Sequence, residues 1–515
     1  MNGPPLELPW LVLGGTLTFD GVALVFLAST ALAWTSAGWA ALLYMRNDPQ
    51  RGRFMAFFAL AMASSLLAAI AGDPITFFLA YSVLGLAAYP LVAHRRTNRA
   101  VRTARWYLVF MLGGEGALLA AILLAADTSG ASTFPVAIAS VGVSILVALG
   151  LGVKCGVPGL HVWMPATYAA APWPAAVALA GGTVGVGVLG FLRFGLVTPS
   201  SAVSHDVWIV LGATGAVLGV VRGLVRREPE RILAYSSVSQ MGVALAVLGF
   251  GAAGGADTTS LALAVAAFVA HHALAKASLF MGVGAVRGGT ALGGRRDHPV
   301  LIAMVAIPAL ALAGAPLTSG ALAKSAITSA VGSPELDCFL LVSSAATAAL
   351  MLHFLASLVR MSRAGDAARS LGGSVMAPWW LSVMAVALGA WVWPAFRSMA
   401  ADALRPSVIM NGVPPLAIGA LMWAALALGG WKGTRRVSIV DRTAGRVGSG
   451  LSGWIESRRE VRPDLSHLSA GTRRKARYLT ARGVAAVATL DRRVGTWTLT
   501  GSLLLGLVLA LRVLL

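Results

Sequence analysis

Residues 151–165 read LGVKCGVPGLHVWMP. Lys154 sits inside an apolar run, and Gly156, Pro158 and Gly159 follow it, with His161 close behind. Glycine and proline within an otherwise helical apolar stretch mark an interrupted transmembrane helix. A second stretch has the same ingredients: residues 311–330, ALAGAPLTSGALAKSAITSA, join Lys324 to Gly314, Pro316 and Gly320. Paired broken segments in corresponding positions of two halves point to inverted repeats with an ion path at mid-membrane.

The remainder of the chain supports a membrane setting. It has 515 residues, 57% of them hydrophobic and 12% charged, and a mean hydropathy of +0.78. That is too apolar for a soluble globular protein and predicts an all-α polytopic membrane protein. A transmembrane barrel would alternate polar and apolar residues instead. Apolar windows long enough to cross a bilayer as helices recur about fourteen times. They fall near 21–44, 53–71, 75–93, 107–125, 134–157, 175–197, 207–225, 232–252, 261–286, 300–324, 337–359, 377–398, 413–430 and 495–515. The opening MNGPPLELPWLVLGG has no basic segment and does not read as a removable signal peptide.

A net charge of +20 suggests nucleic acid until its distribution is read. With the loops numbered alternately, 33 of the 40 lysines and arginines fall on one side and only Arg397 and Arg405 on the other. This is the positive-inside pattern, which predicts both termini on the non-cytoplasmic side and excludes a nucleic-acid reading. Anionic lipid headgroups and partner subunits are the expected neighbours of the basic face. Residues 431–494 carry 15 of these basic side chains, and RRKARYLTARGVAAVATLDRR can form an amphipathic interfacial helix ahead of the last span. Cys155 and Cys338 form no disulfide framework or metal set and read as small buried hydrophobes.

Of 40 basic residues only five are lysines, yet Lys154, Lys276 and Lys324 lie in hydrophobic stretches. A charge near the bilayer centre costs roughly 2.5–3.5 kcal/mol, so such groups usually face protein or water. Arginine keeps its proton in any protein environment, whereas a desolvated lysine can release one. Lys276 lies in FVAHHALAKASLFMGVGAV, with His272 one helical turn before it on the same face. His271 reads as a packing residue. Glu115, in FMLGGEGALLAAILL, is the one acid deep in a predicted span. Alone it would act as a neutral hydrogen-bonding group, and beside a lysine as its counter-charge. Arg193, His353 and Arg512 read as interface or packing residues. The outer loops hold no acidic pair, no Cys/His cluster and no phosphate-binding glycine loop, so neither catalytic site nor metal is expected.

Four motifs, GVKCGVPGLHVWMPATYAAAPWPAA, REPERILAYSSVSQMG, HHALAKASLFMGVGAV and AGAPLTSGALAKSAI, resemble in order and spacing the antiporter-like subunits of respiratory complex I, Mrp-type sodium/proton antiporters and membrane-bound hydrogenases. The resemblance covers roughly residues 15–360. It implies two inverted five-helix repeats, each with a broken helix, and no cofactor. By position it makes Lys154 the central lysine of the first repeat, Lys276 the connecting lysine with His272 before it, and Lys324 the terminal lysine of the second. His161 joins these as a candidate in proton translocation. The corresponding organisation is an N-terminal helix (1–52), two repeats (53–206 and 207–376), additional helices (377–430), a basic segment (431–494) and a final helix (495–515). Three departures stand out. Ser82 occupies the position where the family usually has the glutamate that modulates the first lysine; either Glu115 takes over that task or the first half-channel is silent. AAVALAGGTVGVGVLG lacks the ionisable residue usual on the next helix. LTFDGVALVF matches a motif that usually follows two further helices. The implied function is proton translocation within a multi-subunit complex, with sodium or potassium as possible counter-ions. The alternatives are a membrane subunit of an inorganic carbon pump and a non-conducting scaffold.

Overall fold

The structure is a computed structural model that describes residues 5–9, 14–129, 133–134, 136, 138, 140–198, 202–288, 298–364, 379–380, 383–386 and 406–428. The expected basic segment 431–494 and final span 495–515 lie outside the described residues, as does most of 377–398. A short antiparallel hairpin, β1 (Leu6–Leu8) and β2 (Gly15–Leu17), precedes the helices, pairing Leu6 with Leu17. Asp20 then caps α1 (Gly21–Tyr44), its carboxylate accepting from the Ala23 N–H at 2.8 Å.

The same order of elements follows twice. The first set is α2 (Arg51–Ile70), α3 (Pro74–Ala93), α4 (Asn98–Ser129), a split helix α5/α6 (Val141–Cys155 and Trp163–Ala170), and α7/α8 (Trp173–Ala178 and Val184–Arg193). The second is α9 (His205–Leu224), α10 (Pro229–Ala253), α11 (Thr258–Gly288), a split helix α12/α13 (His298–Ala313 and Ser319–Val331), and α14 (Pro334–Ala364). Counting each broken helix once, each set has five helices, and the resemblance implies that the second is inverted relative to the first. Beyond them lies α15 (Pro406–Leu428). Among the described residues, nine helices are long and apolar enough to cross a bilayer, and the split helices are shorter pieces.

Both splits have local causes. At α5 the C-cap Gly156 takes a left-handed conformation, φ +72°, which costs glycine no Cβ clash, and Pro158 follows. At α12 the turn passes through Gly314 at φ +85° and Pro316, and α13 restarts on the Thr318 cap. Two expected spans are therefore corrected. The span expected near 300–324 breaks after Ala313, as its glycines and proline predict, but it does not end at Lys324: α13 continues to Val331. Residues 134–157 enter helix only at Val141.

Between α7 and α8 the chain makes one π-turn, Leu179–Thr183. It covers the segment where the resemblance finds its ionisable residue missing. Gly182 packs directly against the Trp34 indole of α1, and its carbonyl accepts from Ser65 Oγ at 2.6 Å. Arg193, at the end of α8, pairs with Asp20 at 2.5 Å and ties that end to the start of α1. At the centre stand α10, whose apolar stretch is wholly buried, and α11, mostly buried. Glycines let α9 approach closely: a Cβ on Gly215 would lie 3.3 Å from Gly242 Cα of α10. Cys155 is buried as expected, but Cys338 is exposed on α14 and is not a buried hydrophobe.

Candidate functional site

Lys154 occupies the last turn of α5, one residue before the end of the helix, and is 2% exposed. It does not snorkel. Its Nζ donates to the Tyr81 carbonyl of α3 at 2.8 Å and lies 3.3 Å from the centroid of the Tyr81 ring. Tyr81 is itself held by its hydroxyl, which donates to Gly150 O of α5 at 2.6 Å. Glu115, from α4, is buried beside this pair. Its Oε1 lies within clash distance of the point where a Cβ on Gly85 would be, and Lys154 Nζ lies 3.5 Å from the same point. The carboxylate and the ammonium are close enough to act on each other's charge without direct ion-pair contact. Tyr107 closes the pocket, donating to Gly85 O at 3.2 Å.

Ser82 is one residue beyond Tyr81, and among the described residues its buried hydroxyl has no protein partner. The acid that reaches Lys154 therefore comes from α4 and enters where α3 has no side chain. His161 lies in the turn between α5 and α6, its ring 6.2 Å from that of Tyr235 on α10. Tyr235 in turn meets Arg226, whose Nη2 donates to its hydroxyl at 3.3 Å.

On α11, Lys276 is fully buried and donates to Leu233 O of α10 at 2.7 Å. His272 is 1% exposed, lies one turn before Lys276 and interacts with its charge. Among the described residues neither of its ring nitrogens has a protein partner. Lys324 lies inside α13, past the break. Its Nζ reaches back to Ala313 O, the last carbonyl of α12, at 3.2 Å, and donates to Ser344 Oγ of α14 at 2.7 Å. Among the described residues none of the three lysines is within ion-pair distance of a carboxylate, and each is held by a backbone carbonyl.

The fold thus brings Lys154 and Glu115 into one pocket, and His272 and Lys276 into a second. Lys154 and Lys324 are not equivalent about their breaks: the first precedes its split and the second follows it. Sequence reasoning missed two members. Gly85 makes room for Glu115, and His271 is directed at α13, its Nδ1 2.8 Å from Ser319 Oγ. The doubled histidine at 271–272 is the only sequence signal for the latter. His353 donates from Nε2 to Arg226 O at 2.7 Å, an anchor rather than a site residue.

Comparison with known proteins bears on this arrangement. Residues 71–350 match the family described as NADH:quinone oxidoreductase/Mrp antiporter, TM. Hydrogenase-4 component B of Escherichia coli (strain K12) is 27% identical over 301 residues, which cover 55% of this chain and 44% of that protein. A probable inorganic carbon transporter subunit of Halothiobacillus neapolitanus (strain ATCC 23641 / c2) is 30% identical over 261 residues, covering 47% and 44%. The chain spans less than half the length of these two relatives. The Mrp complex from Dietzia sp. DQ12-45-1b shares the fold, with a TM-score of 0.69 at 22% identity over 95% of this chain and 57% of the matched one. The family match takes in both split helices and every candidate residue named above, and the chain belongs to the NADH:quinone oxidoreductase/Mrp antiporter transmembrane family.

Proposed function

We propose that this chain is a proton-translocating, antiporter-like subunit of a larger membrane complex. One observation carries the reading: two buried lysines, Lys154 and Lys276, and the half-buried Lys324 sit at helix breaks or mid-helix, each hydrogen-bonded to a backbone carbonyl instead of a neutralising carboxylate. A carbonyl accepts from the ammonium and leaves the neutral amine a tolerable neighbour, so either protonation state fits the site. An arginine in the same place could only hold its charge. Among the described residues, buried polar atoms on Ser82, His272, Ser236 and Ser278 have no protein partner, and bound water is the ordinary partner of such groups. Protons reach Lys154 and Lys324 from opposite faces and are exchanged through His272 and Lys276, with Glu115 biasing Lys154 and His161 standing at the first break. The arginine-rich end is the cytoplasmic one in a bacterial inner membrane, where it meets anionic lipid and partner subunits.

The test is Lys276→Met in the native complex reconstituted into proteoliposomes, with internal pH read by a trapped dye. Proton uptake is abolished while subunit composition is unchanged. Uptake at the unmodified rate would remove Lys276 from the path. A second reading, a scaffold that conducts nothing, is favoured by two features: Ser82 at the position of the usual acid, and the apolar π-turn packed on Trp34. It predicts equal uptake with and without the substitution.

A further inference from the structure

Tyr81 meets Lys154 with two different parts of itself. Its carbonyl accepts from Nζ at 2.8 Å, and Nζ stands 3.3 Å from the centroid of its ring. The ring is held in that place. Its hydroxyl donates at 2.6 Å to Gly150 O, one turn before Lys154 on α5, and Phe77, one turn earlier on α3, packs beside it with centroids 6.0 Å apart. Both members are buried, Tyr81 at 1% exposure and Lys154 at 2%. The two contacts differ in kind. A carbonyl accepts an N–H from an ammonium or from a neutral amine, whereas the negative face of an aromatic ring attracts the cation, most strongly where water is excluded. The titratable groups around this pocket are Glu115 and Tyr107 on α4, Tyr81 on α3 and Cys155 on α5 itself. Helix α8, which also packs on α5, has none between Val184 and Leu192. Among the described residues no carboxylate is within ion-pair distance of Nζ, so the ring is the nearest negative surface that Lys154 has.

We propose that the π face of Tyr81 is the positioning group that favours the ammonium form of Lys154, in place of a contacting carboxylate. The proposal rests on the reading of Lys154 as a group that exchanges protons. The carbonyl contact is open to both forms of the amine, and the ring contact favours one of them. Its bias is constant, because the quadrupole of the ring does not depend on a proton being present elsewhere. Glu115 adds to it an influence that changes when the acid takes up or loses its own proton. Ser82, the next residue on α3, supplies no charge, and the ring beside it makes the lysine stable in this pocket without one.

A strut that only ties α3 to α5 makes a different forecast. Phenylalanine at 81 removes the bond to Gly150 and keeps the ring. Mono-, di- and trifluorophenylalanine, inserted at 81 by nonsense suppression, keep the shape of the ring and progressively drain its negative face. Proton uptake is measured against pH in the reconstituted complex, with assembly checked by subunit content. Tyr81→Phe lowers the rate by no more than about fivefold, the scale of one neutral hydrogen bond. Weakening the attraction to the ammonium lowers the proton affinity of the amine, so loading then requires a lower pH. Along the fluorinated series the pH at which uptake falls to half on its alkaline side therefore steps downward. For trifluorophenylalanine it lies roughly one to one and a half units below that of Tyr81→Phe, a ten- to thirtyfold change in proton affinity and the scale of a desolvated cation–π contact. The monofluoro ring differs from phenylalanine by one small atom, so it reports the first step even where the trifluoro chain does not assemble. Coincident profiles across the series overturn the proposal, as does a shift toward higher pH. Lys154→Met runs alongside. If it loses uptake while the series stays flat, only the role of the ring fails; if it keeps full uptake, proton exchange at Lys154 fails and the proposal with it.

Discussion

The two split helices use one backbone device to hold a lysine in different electrostatic surroundings. In α5/α6 the amine precedes the break, leans on the carbonyl and ring of Tyr81, and has a buried carboxylate nearby. In α12/α13 the amine follows the break and lies among neutral dipoles, Ala313 O and Ser344 Oγ, with an imidazole beyond. A break frees carbonyls that a continuous helix would consume, and a buried ammonium needs such acceptors. The difference lies in what stabilises charge once the amine is protonated. The first site has an opposite charge whose influence changes when Glu115 takes up or loses a proton, and the second has, among the described residues, polar contacts alone. The first is thereby suited to being switched and the second to passing its proton on.

The strongest way to break this comparison is to replace each lysine with arginine. The charge and the carbonyl contact are kept, but the proton cannot leave. If both amines exchange protons, Lys154→Arg and Lys324→Arg each lower uptake into proteoliposomes roughly a hundredfold. Lys154→Arg at full rate with Lys324→Arg inactive would make the first amine a fixed charge and the first half silent, as Ser82 at the usual acid position would suggest.

Next in size is the counter-charge. Glu115→Gln leaves the shape of the pocket and removes its ability to carry charge, and lowers uptake about tenfold, the size of an ordinary allosteric coupling. Gly85→Ala places a methyl in steric clash with Glu115 Oε1 and displaces the carboxylate. It gives a smaller loss, about fivefold, because the displaced acid remains in the pocket. The two effects are not additive, since they act on one interaction. A double variant that multiplies both losses would show that Gly85 serves something other than seating the acid. No counterpart of either substitution exists in the second split helix, so there the comparison has only polar contacts to lose.

The residues of this pocket also show what sequence can reveal. The breaks themselves were legible, because glycine at positive φ and proline without an amide hydrogen have local causes and need no knowledge of the fold. The lysines were legible because a rare ion in an apolar run is costly wherever it packs. The direction in which each side chain points was not. Helices α10 and α11 are buried nearly all round, so no polar face betrays their orientation, and His271 could not be told from a packing residue. Gly85, Glu115 and Lys154 come from three helices, and their meeting is a product of tertiary packing. The placement of Lys324 after its break, not before it, follows from where Thr318 caps α13, a detail finer than hydropathy resolves.

The smallest expected effect concerns how the two sets of helices are anchored at the arginine-rich end. In the first, His94 at the end of α3 meets the Asp48 carboxylate in the α1–α2 turn at 3.0 Å. In the second, His353 and Ser357 of α14 donate to the Arg226 and Arg227 carbonyls. The hydrogen bond from His94 holds the Asp48 carboxyl below the ordinary carboxylate range. A carboxyl lowered in the folded state adds stability above its unfolded pKa of about 3.9 and loses it as pH falls through the lower folded value. The thermal midpoint of the detergent-purified protein should therefore exceed that of Asp48→Asn by a constant amount above about pH 5, and the gap should close below about pH 4. Carbonyl acceptors gain no proton in that window, so Ser357→Ala should lower the midpoint equally at both ends of it. A gap for Asp48→Asn that persisted in acid would mean the His94 contact acts by packing, and the two anchors would then be alike.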